Sequence, residues 1–290
     1  MITDRDLAVL CAVARYFVLN RPQIQNLCFA DDPDGRITRR RLIKLVKHGV
    51  LQRQPVQICD LDGGTPSSVY FPARRGLEII AEHFSDKSLL RVSTQAPQPH
   101  CVRHWLAVSE THILIDQALA TQSAVQLSGW LNEWDTASPE DAEPEKRYRL
   151  YTLLDESPRL VCAPDASFLL ALGPHRKVYY LEQDMNTTGV ERIAAIKTKG
   201  FAELAERGWH LRHWPETTVP TFTVLMIAPN ARRRDHLRRA INGKPGCGLW
   251  RFIAKEDLTP QSVLSAPILY RCDSDDPVAL VKPVDQQVTL

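Results

Sequence analysis

Three acids and one lysine carry the first chemical signal in the chain. Asp165 follows Pro164 ahead of one apolar run, Glu182 and Asp184 close the next, and Lys197 lies in the helical stretch beyond. The runs 168–172 and 178–182 flank Gly173-Pro174-His175-Arg176 and read as a β-hairpin. Pairing those strands brings Asp165 and Glu182 to one sheet edge. Residues two apart on a strand share a face, so Asp184 joins Glu182 on the face of Val178 and Tyr180. Carboxylates held together repel and raise one another's pKa unless a cation or a base shares the site. A hard divalent ion, Mg²⁺ or Mn²⁺, held by Asp165 and Glu182 answers that need, with water and a phosphate as its remaining ligands.

Lys197 supplies the basic partner. At about 100° per residue, Val190, Ile193, Ala194, Phe201 and Leu204 form one apolar stripe with Lys197 at its centre, while Lys199 points the other way. An unpaired buried ammonium is very costly, so Lys197 must meet the acids or an anion bound beside them. There it can steady an attacking water or the charge growing on phosphorus oxygens, with Asp184 assisting. The chemistry to expect is metal-assisted phosphodiester hydrolysis. Glu133, at the end of another strand, is a further candidate ligand, and Glu110 a weaker one. His210 and His213 lack neighbouring acids or cysteines and read as structural. Asp62-Gly63-Gly64 is turn chemistry, since no Gly-Lys-Ser/Thr follows.

The elements that position these groups must come from a folded chain of 290 residues, 44% hydrophobic and 24% charged, which excludes disordered, collagen-like and coiled-coil classes and favours two domains. The formal charge of +2 argues neither for nor against a polyanionic partner, so local clustering must decide. Seven cysteines, far apart and without a Cys-x-x-Cys pair, argue against a disulfide framework or a zinc knuckle. No apolar run reaches the roughly 20 residues that a membrane helix needs. The mixed-charge start lacks the basic region of a secretory leader, so a cytoplasmic location is expected.

The first domain, 1–88, reads as helices over 3–16, 23–29 and 36–48, an extended segment 50–59, the turn at 62–64, a strand 67–71 and a closing helix 74–84. That order is a winged helix-turn-helix, whose third helix enters a major groove. Arg36, Arg39, Arg40, Arg41, Lys44 and Lys47 crowd that helix, and Arg53 lies on the wing. Phosphate contact with double-stranded DNA is the expected role. A homodimer on symmetric sites is a further expectation.

A linker is placed at 89–99, a second domain at 100–272 and a flexible tail at 273–290. The second domain opens with a helix over 100–122 and a strand over 125–130. The hairpin follows, then a helix from a Thr188…Glu191 capping box to about 207, a strand 221–228, a basic helix 232–241 and a strand 249–253. The basic cluster Arg232-Arg233-Arg234, Arg238 and Arg239 reads equally well as a DNA-holding surface or a solvated face.

Pro164-Asp165-Ala166, the run Tyr179-Tyr180-Leu181-Glu182-Gln183-Asp184 with Asn186-Thr187-Thr188, and Lys197 together resemble the signature of the replication-relaxation family. The resemblance implies an α+β or α/β chain with an N-terminal winged helix and a PD-(D/E)xK nuclease-like domain. It implies a role in plasmid or mobile-element replication, relaxation or mobilisation, through DNA binding and metal-dependent nicking. The alternative is a non-catalytic DNA-binding regulator or replication accessory factor that keeps the fold. In the nuclease superfamily the lysine usually stands two residues after the second acid. Here Asp184 occupies that position, Lys197 serves from the helix, and Met185 stands where the family usually has a basic residue.

Overall fold

The first helix, α1 (Asp4–Tyr16), begins where Thr3 and Asp6 cap each other: the Asp6 carboxylate accepts the Thr3 N–H at 2.8 Å, and Thr3 Oγ1 accepts the Asp6 N–H at 3.4 Å. The computed structural model, which describes residues 2–56 and 67–281, is a mixed α+β fold. It divides into two units, 1–113 and 114–290.

In the first unit α1 is followed by β1 (Leu19–Asn20), α2 (Arg21–Cys28), α3 (Arg36–Lys47), β2 (Leu51–Val56), β3 (Ser67–Pro72) and α4 (Arg74–Phe84). Asn20 and Gln23 cap α2 reciprocally, and Pro22 occupies its first turn, where a missing N–H costs nothing. The strands form one antiparallel sheet in the order β1-β3-β2, with Tyr70 opposite both Leu19 and Arg53. Helices and sheet share a core around Val9, Val13, Ile24, Leu42, Leu77 and Ile80. α4 crosses close to the start of β2: a Cβ on Gly76 would stand 2.1 Å from the Val50 carbonyl oxygen. A 3-10 turn, Lys87–Arg91, follows α4, and Leu89, Leu90 and Val92 pack partly against this same core. The unit boundary falls inside α5 (Val102–Ala120). Its first half joins the first unit, where Ser109 Oγ donates to the Tyr16 carbonyl and Gln23 donates to the Leu106 carbonyl.

α3 starts at Arg36, as its spacing predicts, but its cap is not legible in sequence. Gly35 takes the left-handed conformation before it and offers no side chain, so Asp32 caps the helix from the loop. Its carboxylate accepts the N–H groups of Ile37 and Thr38 and the Thr38 hydroxyl, at 3.2, 2.7 and 2.7 Å. Burial opposes the charge, but together these hydrogen bonds outweigh it and hold the Asp32 carboxyl down at about 2. The turn at 62–64 and the end of the extended segment 50–59 lie outside the described residues.

The second unit continues with β4 (Val125–Asn132), α6 (Pro144–Arg147), β5 (Thr152–Glu156), β6 (Arg159–Cys162), β7 (Ala166–Leu172), β8 (His175–Gln183), α7 (Val190–Glu206), α8 (His210–His213), β9 (Thr223–Ala228), α9 (Ala231–Ile241) and β10 (Trp250–Ala254). Five strands make one sheet in the order β10-β9-β8-β7-β4. β7 runs antiparallel to β4 and β8, while β8, β9 and β10 are mutually parallel. α7 and α9 are therefore crossover helices, as parallel neighbours require. Both lie on one face, where Ala194, Phe201, Leu204, Leu237 and Ile241 pack on Val178, Tyr180, Val224, Met226 and Phe252. On the other face Trp130, Phe168 and Tyr179 stack in a ladder, with ring centroids 5.1 and 5.2 Å apart.

The hairpin of β5 and β6 has no counterpart in the sequence pattern: its strands are short, and the polar turn between them hides the period. The expected capping box at Thr188 does not form. α7 begins at Val190 with Gly189 as its cap, which has no side chain to offer. Of the tail at 273–290, residues 273–281 are held by Arg238, which donates to the Ser274 carbonyl and to Asp275, and by a bridge from Leu269 to Val278. Residues 282–290 lie outside the described residues. No helix among the described residues is long and apolar enough to cross a membrane.

Candidate functional site

β7 and β8 set the geometry of the acids. Ala166 pairs with Leu181, so Asp165 and Glu182 stand one rung further along the same ladder, at the carboxyl end of β8. The Asp165 N–H donates to the Leu181 carbonyl at 3.1 Å, and Asp165 Oδ2 accepts the Gln183 N–H at 2.6 Å, which fixes the carboxylate against the neighbouring strand. Glu182 shares the face of Val178 and Tyr180 and points beneath α7. Asp165, Glu182 and Asp184 are all buried. In open α/β sheets this end of the parallel strands is where ligands bind.

Lys197 comes down from α7 onto this edge. Its Nζ lies 2.9 and 2.8 Å from the two Glu182 carboxylate oxygens and donates to the Ala163 carbonyl at 3.0 Å. Burial works against the ammonium, but the charges of Glu182 and Asp165 outweigh it and hold Lys197 above the usual lysine value. The sequence-derived trio of Asp165, Glu182 and Lys197 is thus brought together. Gly200, one turn further on, lets the helix approach: a Cβ there would stand 2.7 Å from the Val161 carbonyl oxygen on β6. Cys162 lies in the same corner, its thiol pushed well up by burial and by Glu182. Glu133 donates its N–H to the Asp165 carbonyl, and carboxylate oxygens of the two residues lie within 4.8 Å of each other.

Asp184 is not part of that trio. β8 ends at Gln183, and Asp184 turns to the first turn of α9, where Arg233 grips it at 2.7 and 3.2 Å. Each acid at the strand end therefore has its own cation from its own crossover helix. Two more arginines of the α9 cluster are spent in a similar way. Arg234 and Arg238, both buried, lie 4.0 and 5.0 Å from the Tyr270 ring centroid and pair with Asp235. Arg232 and Arg239 remain exposed.

Behind the site, His213 links two elements: its Nδ1 is 2.7 Å from the Tyr180 hydroxyl and its Nε2 3.0 Å from Thr152 Oγ1. A neutral ring can take the tyrosine proton at one nitrogen and give its own from the other. Burial, then the charges of His210, Arg212 and Arg149, push His213 down to about 4. The folded value is depressed, so the stabilisation is complete above the unfolded value of about 6.5 and is lost as pH falls from there towards 4. Acidifying from pH 7 to 5 is expected to cost about 2 kcal/mol through this residue. Urea unfolding at the two pH values should show that loss, and His213→Gln should remove most of it.

In the first unit, the cations of α3 divide by partner. Arg39, Arg40, Lys44 and Lys47 are exposed, and Arg36 pairs with Asp34 at the surface. Arg41 instead turns inward and clamps the fully buried Asp6 side-on through Nε and Nη2, Nη2 also donating to Thr3. Asp6 stays ionised: burial opposes its charge, but the bonds from Arg41 and Thr3 outweigh it. Arg53 donates to Ser68 across the β2–β3 pair. Tyr70 is raised by burial, against the opposing charges of Arg53, Arg21 and Arg39. Sequence reasoning misses Arg21, because nothing local to it shows that α2 begins beside Tyr70.

No curated protein and no solved structure matches the chain. The family model described as replication-relaxation matches residues 10–221, well over half of the chain and all of the Asp165, Glu182 and Lys197 cluster. The chain belongs to the replication-relaxation family.

Proposed function

We propose that this protein binds duplex DNA through a winged helix-turn-helix in its first unit and hydrolyses a phosphodiester bond in its second. Family membership connects the chain with the replication or relaxation of plasmid and mobile-element DNA. The observation that carries the hydrolytic reading is the meeting of Asp165, Glu182 and Lys197 at the carboxyl end of β8. The sheet, with strands in chain order and only β7 reversed, supports a PD-(D/E)xK-like core.

The donor set suits Mg²⁺ or Mn²⁺. Asp165 and Glu182 would hold the ion; the Glu133 carboxylate lies near that of Asp165, and the Ala163 carbonyl shares the Lys197 ammonium with Glu182. When bound, such an ion supplies Lewis-acid polarisation of the phosphate. Lys197, held above the ordinary lysine value, stays an ammonium at neutral pH and cannot accept a proton from water. Its role is therefore a fixed positive charge beside a phosphate oxygen. Asp184 acts at one remove by anchoring α9 through Arg233. On α3, the outward cations would meet backbone phosphates, while Arg41 would orient the helix from behind. A homodimer on a symmetric site fits this use of the module.

One observation favours the regulatory reading, in which the fold is kept without catalysis: Glu182 and Asp184 are each neutralised by an internal cation. Incubating supercoiled plasmid with the full chain and Mn²⁺ separates the two. The hydrolytic reading expects open-circular product from the wild type and none from Asp165→Asn. Plasmid that is bound but stays supercoiled supports the regulator.

A further inference from the structure

α3 carries two exposed isoleucines among its cations: Ile43 is 57% exposed and Ile37 is 42% exposed. Thr38, Leu42 and Leu45 define the buried side of the helix. At about 100° per residue, Ile43 falls between Arg36 and Arg39 on the outward side, and Ile37 falls beyond Lys44 on the opposite flank. Neither isoleucine serves the core. A β-branched side chain is also a poor choice for a solvated helix position, where straight-chain residues lose less freedom. A helix that met only phosphates would need neither of them.

A surface that is both cationic and apolar at these positions is complementary to one partner in particular. Duplex DNA presents phosphates on both rims of its major groove, and within the groove the thymine C5-methyl is the apolar group that side chains meet. We infer that α3 is a base-reading helix, with Ile43, supported by Ile37, packing on thymine methyl groups of a defined target sequence. This inference rests on the reading of α3 as the DNA-facing helix. It goes further by making the protein sequence-selective for sites that contain thymine at the contacted steps.

The test uses the full chain and a pool of random-sequence duplexes, from which bound molecules are enriched and sequenced. The enriched site is then remade with uracil in place of thymine, one position at a time, which deletes only the methyl group. At the contacted position the wild type should lose about fourfold in affinity, the ratio set by one buried methyl. Ile43→Ala, which keeps the helix, should bind the thymine and uracil duplexes equally. Enrichment of a site whose uracil substitutions have no effect would overturn the inference while leaving DNA binding intact. So would tight binding with no sequence enriched, or an Ile43→Ala variant whose only change is in oligomeric state. Failure to retain any duplex would overturn the underlying reading of α3 and this inference with it.

Discussion

Replacing Lys197 by methionine is expected to cost the second unit about 3 kcal/mol, and adding Glu182→Gln to that variant is expected to return most of it. The Glu182 side chain is 6% exposed, and both of its oxygens are bonded to the lysine ammonium. Methionine keeps the stem and its volume, so packing on the apolar stripe of α7 changes little. What changes is the charge balance: an ionised carboxylate is left buried with its cation gone. That penalty, rather than the worth of the ion pair itself, dominates when one partner is removed. The lysine side chain is itself 31% exposed, which admits water and holds the expected loss at the lower end of the range for buried pairs. Urea unfolding followed by a probe in the second unit reads the effect, since two units need not unfold in one step. A Lys197→Met variant as stable as the wild type would show that the pair is solvated, and a double variant no better than the single would place the loss in packing.

The triple variant Arg40→Ala, Lys44→Ala, Lys47→Ala is expected to lower duplex affinity on the order of 100-fold at about 0.1 M salt and to reduce the salt slope by about 3. Each of these side chains is exposed on the outward side of α3, where a phosphate contact releases roughly one counterion. Alanine favours the helix, so the loss cannot be blamed on unfolding. Arg41→Ala makes the contrast. It should destabilise the first unit by stranding the buried Asp6, while the salt slope changes little. Fluorescence anisotropy across a range of NaCl concentrations measures both variants. A triple variant with the wild-type slope would remove α3 from the DNA interface.

Periodicity is enough to find Lys197, because a single cation at the centre of an apolar stripe is a local signal that needs no partner in view. It also places Asp165 and Glu182 together, since the hairpin between Leu172 and His175 fixes the register of β7 and β8. Asp184 defeats the same logic: spacing puts it beside Glu182, but the strand ends one residue earlier and Arg233 arrives from 49 residues away. Arg41 likewise reads as one more cation on a basic helix until Asp6 closes on it from α1. The α9 arginines show the general point most sharply. Their density suggests a surface, yet what holds Arg234 and Arg238, namely Tyr270, Asp235 and Asp275, lies partly in a stretch with no periodic pattern to announce it. Caps divide in the same way. The Thr188 spacing is persuasive and unused, whereas Asp32 caps α3 from four residues upstream, a geometry set by the loop and invisible in the pattern.

The most direct check on the whole reading is the binding of Mn²⁺ by the full chain, followed by the loss of the free-ion electron paramagnetic resonance signal. The expected result is saturable binding by the wild type and none by Asp165→Asn, with both proteins equally folded. No uptake by the wild type, or uptake undiminished in the variant, would contradict the assignment of Asp165 and Glu182 as the holders of a divalent ion.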